Sequence, residues 1–140
     1  MLVKNVLSIA IIATISVVGL SGCEKYSAGP DISFRSAKER VSNTWKVEQY
    51  FKKGADYTFN VPTGKTITYE PTGSYYERLT GSEMKGAWVF ANDQKDIKLT
   101  LDNGISVMYT IKKLEEKKLW LFNYDTENVK HEWHLIPVVK

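Results

Sequence analysis

Asp96-Ile97-Lys98-Leu99-Thr100-Leu101-Asp102-Asn103-Gly104-Ile105-Ser106-Val107-Met108-Tyr109-Thr110-Ile111 decides the fold of this chain. Ile97, Leu99 and Leu101 alternate with Lys98, Thr100 and Asp102. Ile105, Val107, Tyr109 and Ile111 alternate with Ser106, Met108 and Thr110. A period of two places one set of side chains in a core and the other in water, which is the pattern of a half-buried β-strand. Asn103-Gly104 lies between the two runs. Both residues tolerate positive φ, so the pair predicts a tight hairpin and antiparallel strands.

The same period extends along most of the chain. Trp45, Val47, Gln49 and Phe51 alternate with Thr44, Lys46, Glu48 and Tyr50, which predicts an inward face carrying Gln49 and Phe51. Ile67 and Tyr69 alternate with Thr66, Thr68 and Glu70. Runs at about 56–61, 74–80, 86–91, 117–124 and 131–138 are rich in aromatic and β-branched residues. Polar or glycine-bearing breaks separate them: Pro71-Thr72-Gly73, Thr80-Gly81-Ser82, Ala91-Asn92-Asp93, Glu115-Glu116-Lys117-Lys118 and Asp125-Thr126-Glu127-Asn128. Helical signal is confined to Ser36-Ala37-Lys38-Glu39, a capping box that predicts one short helix over about 36–42. The expected fold class is therefore all-β, an antiparallel up-and-down barrel of eight or nine strands with one short N-terminal helix. Closing the meander removes its exposed edges.

The N-terminus reads differently. Lys4 is followed by an apolar stretch, Val6 to Leu20, which has the length of a signal-peptide apolar region and is short for a membrane span of about 20 residues, leaving an uncleaved anchor helix or an ordinary secretory signal as the alternatives. Leu20-Ser21-Gly22-Cys23 closes it, and Cys23 is the only cysteine of the 140 residues. These residues resemble the lipobox of bacterial lipoproteins. The resemblance implies a signal peptide over 1–22, lipidation of Cys23, and a membrane-tethered mature chain. Glu24 follows the cysteine, so the familiar inner-membrane retention residue is missing, and the outer membrane is the expected site. Glu24 to Pro30 reads as a tether whose small and polar residues build no packed element. The expected organisation is 1–22 signal, 23–32 lipidated cysteine and tether, 33–140 barrel.

The whole chain carries a formal charge of +3. So small a bias argues for neither nucleic acid nor an acidic partner. With its one thiol assigned to lipid, the domain is expected to fold on its core alone, as a monomer.

The lipobox, the short helix, Asn43-Thr44-Trp45 and the meander of hairpins together resemble the lipocalin-like domain of small lipoproteins from Bacteroidetes-type bacteria. The resemblance covers about 33–140. It implies that Trp45 plugs the closed end of the barrel above the helix, in the place of a Gly-x-Trp tryptophan. Gly86-Ala87-Trp88 repeats that pattern in the middle of the chain.

Candidate ligand-lining residues follow from the inward faces: Gln49, Phe51, Tyr69, Trp88, Phe90 and Tyr109. The functional expectation is a barrel that binds a small apolar or amphipathic ligand, with Gln49, Tyr69 and Tyr109 as polar handles. The alternative is an envelope interaction module with a filled barrel, working through exposed residues such as Tyr50, Tyr57, Tyr76 or Trp120. No catalytic set, cofactor or metal site is expected. His131 and His134 in His131-Glu132-Trp133-His134 point to opposite faces of a strand and cannot share an ion. No nucleophile elbow or phosphate loop is present. Lys52-Lys53, Lys112-Lys113 and Lys117-Lys118 read as solvated hairpin ends.

Overall fold

The computed structural model describes residues 25–29 and 33–139. Nine strands form one sheet: β1 (Asn43–Lys52), β2 (Ala55–Asp56), β3 (Thr66–Tyr69), β4 (Ser74–Leu79), β5 (Ser82–Ala91), β6 (Asp96–Leu101), β7 (Ser106–Glu115), β8 (Lys118–Tyr124) and β9 (Lys130–Pro137). All pairs are antiparallel, each of β3 to β9 beside the next, and β9 returns to pair with β1. Eight strands thus close into a barrel, and β2 folds back on the end of β1 as an extra short strand. The run expected as a strand over 56–61 is instead β2 followed by a 3-10 turn, Thr58–Asn60. Asp56 caps this turn by accepting from Thr58 N at 2.8 Å, which draws the backbone out of extended form.

The single helix among the described residues, α1 (Ala37–Val41), starts where the capping box predicts. Ser36 Oγ accepts from Glu39 N, and Glu39 Oε2 accepts from Ser36 N at 2.8 Å. Five residues are too few to stand alone, so packing must hold it. Val41 is wholly buried, and Trp45 beneath it donates from Nε1 to Val41 O at 2.9 Å. Trp45 is 0% exposed and closes this end of the barrel. Arg40 is also buried and donates from Nη1 to Leu114 O at the end of β7.

The expected tether needs correction here. Tyr26 is 1% exposed and belongs to the core, with the Arg40 guanidinium 5.9 Å from its ring centre. Ala28 N donates to Lys112 O, and Leu114 N donates to Gly29 O. Residues 25–29 therefore lie along β7 and help to seal the closed end. One aromatic ring supplies enough apolar area to dock an otherwise polar stretch.

Two hairpin details differ from the pattern of the sequence. Only Gly104 of the Asn103-Gly104 pair takes positive φ, at 85°. Leu101 N donates to Ile105 O and Gly104 N to Leu101 O, so the loop is three residues long with glycine in its left-handed position. Gly86 meets a different demand. A Cβ there would sit 2.4 Å from Thr100 O and 2.9 Å from Leu101 Cα. Only glycine lets β5 and β6 approach this closely.

Two bulges set which side chains face inward. Val47 opposes Leu135 and Gln49 opposes His134, so β1 holds one extra residue at this point. Ile111 opposes Leu121 and Lys113 opposes Trp120, so β7 does the same. A bulge reverses the parity of everything beyond it.

Candidate functional site

The inner face of the barrel is a ladder of aromatic rings. Tyr69 meets Tyr75 at 5.3 Å and Trp88 at 5.6 Å, and Trp88 meets Phe90 at 5.3 Å. Trp133 of β9 meets Tyr109 of β7 edge-on at 5.5 Å. These spacings and tilts are those of favourable ring pairs. A cavity of about 80 Å³ remains between them, lined by residues that include Tyr69, Tyr75, Glu77, Tyr109 and Trp133, with Lys65 at its edge.

This cavity is polar for a barrel core. Lys65 Nζ pairs with Glu77 Oε1 at 2.7 Å, and Tyr75 Oη donates to Glu77 Oε2 at 3.1 Å. The Tyr69 and Tyr109 hydroxyls make no hydrogen bond among the described residues. Burial pushes the Tyr69 hydroxyl far up, with Tyr109 and Glu77 adding to it. Burial does the same for Tyr75, helped by Tyr69 and Glu77. Tyr109 is pushed up to about 12 by burial and by Glu77. All three phenols are therefore neutral hydroxyls, able to donate or accept but not to act as phenolates near neutral pH.

A second polar chain lies towards the open end. Tyr50 Oη and His131 Nδ1 are 2.6 Å apart, and His131 Nε2 and Asp125 Oδ2 are 3.0 Å apart. The Tyr50, His131 and Trp133 rings stack within 6.0 Å of one another at small angles. His131 leads the causes that hold Asp125 below the usual carboxylate range, followed by the backbone N–H of Val129. With Asp125 ionised, His131 Nε2 carries the proton and donates. Nδ1 faces the Tyr50 hydroxyl on the other side of the ring.

The outer face of the same strands carries a different cluster. Glu132 is 9% exposed and His134 8%, although both point away from the barrel. Glu132 Oε1 accepts from Lys112 Nζ and from His134 Nε2, each at 2.8 Å, and Oε2 accepts from Lys130 Nζ at 3.0 Å. Burial pushes this carboxyl up, but the three donors outweigh it and hold it down at about 2. Trp120 lies flat on His134 at 3.9 Å, and Phe51 tilts against its ring at 5.0 Å.

The expected lining residues separate into two groups. Tyr69 and Tyr109 line the cavity, and Trp88 and Phe90 lie on the inner face within the aromatic ladder. Gln49 and Phe51 do not point inward, because the β1 bulge turns both outward and brings Tyr50 in. Trp45 takes the closed-end position expected of it. His131 and His134 do face opposite sides of β9. Among the described residues no group of three or more His, Cys, Asp or Glu is placed to hold a metal ion. Cys23 and the Leu20-Ser21-Gly22 run lie outside the described residues. Tyr75, Glu77 and Trp133 join the site without having been expected there. Extending the alternation of β4 through Tyr75 and Glu77 finds the first two.

No family model matches the chain, and no curated protein matches it at a significant level. Solved structures do. One is a DUF4847 family protein from Bacteroides vulgatus ATCC 8482, 12% identical, with a TM-score of 0.44, covering 67% of this chain and 92% of that one. Another is a point mutant of LTBP1 in complex with leukotriene C4, 8% identical, with a TM-score of 0.47, covering 83% of this chain and 78% of that one. A further LTBP1 complex with LTC4 is 9% identical, also with a TM-score of 0.47, and covers 83% of this chain and 77% of that one. All three likenesses are distant.

Proposed function

We propose that this chain is a lipid-anchored protein of the cell envelope, held in the outer membrane through Cys23, whose barrel holds a small amphipathic ligand. The reading of the anchor rests on Leu20-Ser21-Gly22-Cys23 and the apolar stretch before it. The reading of the ligand rests on one observation above all. The Tyr69 and Tyr109 hydroxyls face an interior cavity beside the Lys65–Glu77 pair, with no hydrogen-bond partner of their own among the described residues. Unlike the Tyr26 hydroxyl, which is sealed away without a partner, these two reach accessible space in the cavity and stay open to a ligand atom. The hydroxyls are suited to a ligand with one or two polar atoms, and the surrounding rings to its apolar remainder. A cavity of about 80 Å³ limits that ligand to a few heavy atoms or to the tip of a longer one. The protein does no chemistry on it in this reading and works as a monomer.

The smallness of the cavity also favours a second reading, an envelope module with a filled barrel and a working outer wall. Purification of the full chain from its own membranes in mild detergent separates the two. Intact-mass analysis under native conditions is expected to reveal a small bound molecule, and under denaturing conditions a triacylated Cys23 terminus. A bare barrel would favour the second reading, and an unprocessed N-terminus would remove the anchor.

A further inference from the structure

The outer wall formed by β1, β9, β8 and β7 carries a groove of about 320 Å³, lined by Phe51, Gly54, Lys112, Lys130, Glu132 and His134. It is roughly four times the volume of the barrel cavity, and within the range of small-molecule sites, whose lower end is about 300 Å³. Both bulges serve it, the one in β1 turning Phe51 outward and the one in β7 turning Lys112 and Lys113 outward together. We infer that this groove is a second binding site, separate from the barrel interior, and that it takes a small monocarboxylate with an aromatic or apolar body.

The charge and the donor count carry the argument. Glu132 is acceptor-only when ionised, and three donors already occupy it: Lys112, Lys130 and His134. Three of its roughly four acceptor positions are thereby taken. Each ammonium has three donors and gives one to Glu132, so both Lys112 and Lys130 keep donors for an anion. Two ammoniums against one carboxylate leave a formal charge of +1, which one carboxylate neutralises. Glu132 acts as the positioning residue, since it fixes two flexible lysines in advance and lowers the entropy lost on binding. The apolar wall is set beside the charge. Phe51 forms one side, and Gly54, at the exposed turn between β1 and β2, adds no side chain to block the groove. Trp120, flat against His134, holds that imidazole in place, and Lys113 at 4.4 Å covers its other part.

Isotope-labelled full chain in detergent micelles, titrated with benzoate at neutral pH, tests the inference. Saturable shifts are expected at Phe51, Lys112, Lys130 and His134. Benzamide, the uncharged analogue, and inorganic phosphate, an anion without an apolar body, are expected to bind far more weakly. Lys112→Met and Lys130→Met are each expected to weaken benzoate about tenfold, the loss of one charge-assisted hydrogen bond. Glu132→Gln is expected to tighten it, because the local charge rises to +2. A merely structural ion pair has no reason to give opposite signs. Absence of saturation, equal binding of benzamide or phosphate, or unchanged affinity in Lys130→Met would each overturn the inference. Lys130→Met keeps two of the three Glu132 contacts, so it decides the matter even if Glu132→Gln does not fold. These shifts arise on the outer wall, and a failure here leaves the ligand of the barrel interior untouched.

Discussion

The two faces of β9 follow opposite rules. Its inner face presents His131, Trp133 and Leu135 to rings and neutral hydroxyls. Its outer face presents Lys130, Glu132 and His134 to ammoniums and a flat indole. Here the inner cavity is small, with one ion pair at its edge, and the denser charge cluster lies outside. Alternation alone delivers the two chemistries one residue apart, so a single strand serves both.

The comparison breaks most readily at the closed end. Trp45→Ala removes the plug against which α1 is held, and is expected to cost about 3–5 kcal/mol of unfolding free energy. Urea unfolding followed by circular dichroism measures it. A loss under about 1 kcal/mol would mean that the inner face is not the source of stability. Gly86→Ala tests the same face through the backbone. The new methyl collides with Thr100 O and Leu101 Cα, neither of which is a flexible side chain. A loss of about 1–3 kcal/mol is expected, with the change greatest in β5 and β6 amide exchange.

The outer face answers to acid. Glu132 ionises in the folded chain at about 2, below its ordinary value of 4.5. Its contribution is therefore complete above about pH 4.5 and is lost as the pH falls towards 2. Glu132→Gln should flatten this part of the stability profile and leave the part due to Asp125 and Glu39, which are lowered too. An unchanged slope between pH 4.5 and 2 would mean that the Lys112–Glu132–Lys130 cluster contributes nothing.

The division between the faces was legible in outline and not at its turning points. The alternation through Ile97 to Ile111 and the capping box at Ser36 foretell the strands and helix, because both depend on neighbours in sequence. A bulge depends on how two strands pair, and Val47-Glu48-Gln49-Tyr50 carries no local mark of one. Hence Gln49 and Phe51 read as inward, when Tyr50 holds that place. Tyr26 was hidden for a related reason: one ring among small polar residues has no period to reveal it. Lys65 and Glu77 meet only through the β3–β4 pairing, and Glu132 finds Lys112 across β8. In a Cys23→Ser chain, cysteine at 47 and at 49 tests the bulge with little energetic disturbance. Fast thiol labelling at 49 and slow labelling at 47 are expected, and equal rates would erase the difference between the faces.

The central claim is that the barrel interior, through Tyr69 and Tyr109, is the seat of a ligand. Native mass measurement of the full chain purified from its own membranes tests it, set beside Tyr69→Phe/Tyr109→Phe and Phe51→Ala. The expected result is a bound small molecule in the parent and in Phe51→Ala, lost in the double variant while that variant stays folded. Equal retention by the double variant, or no bound mass in any of the three, would contradict it.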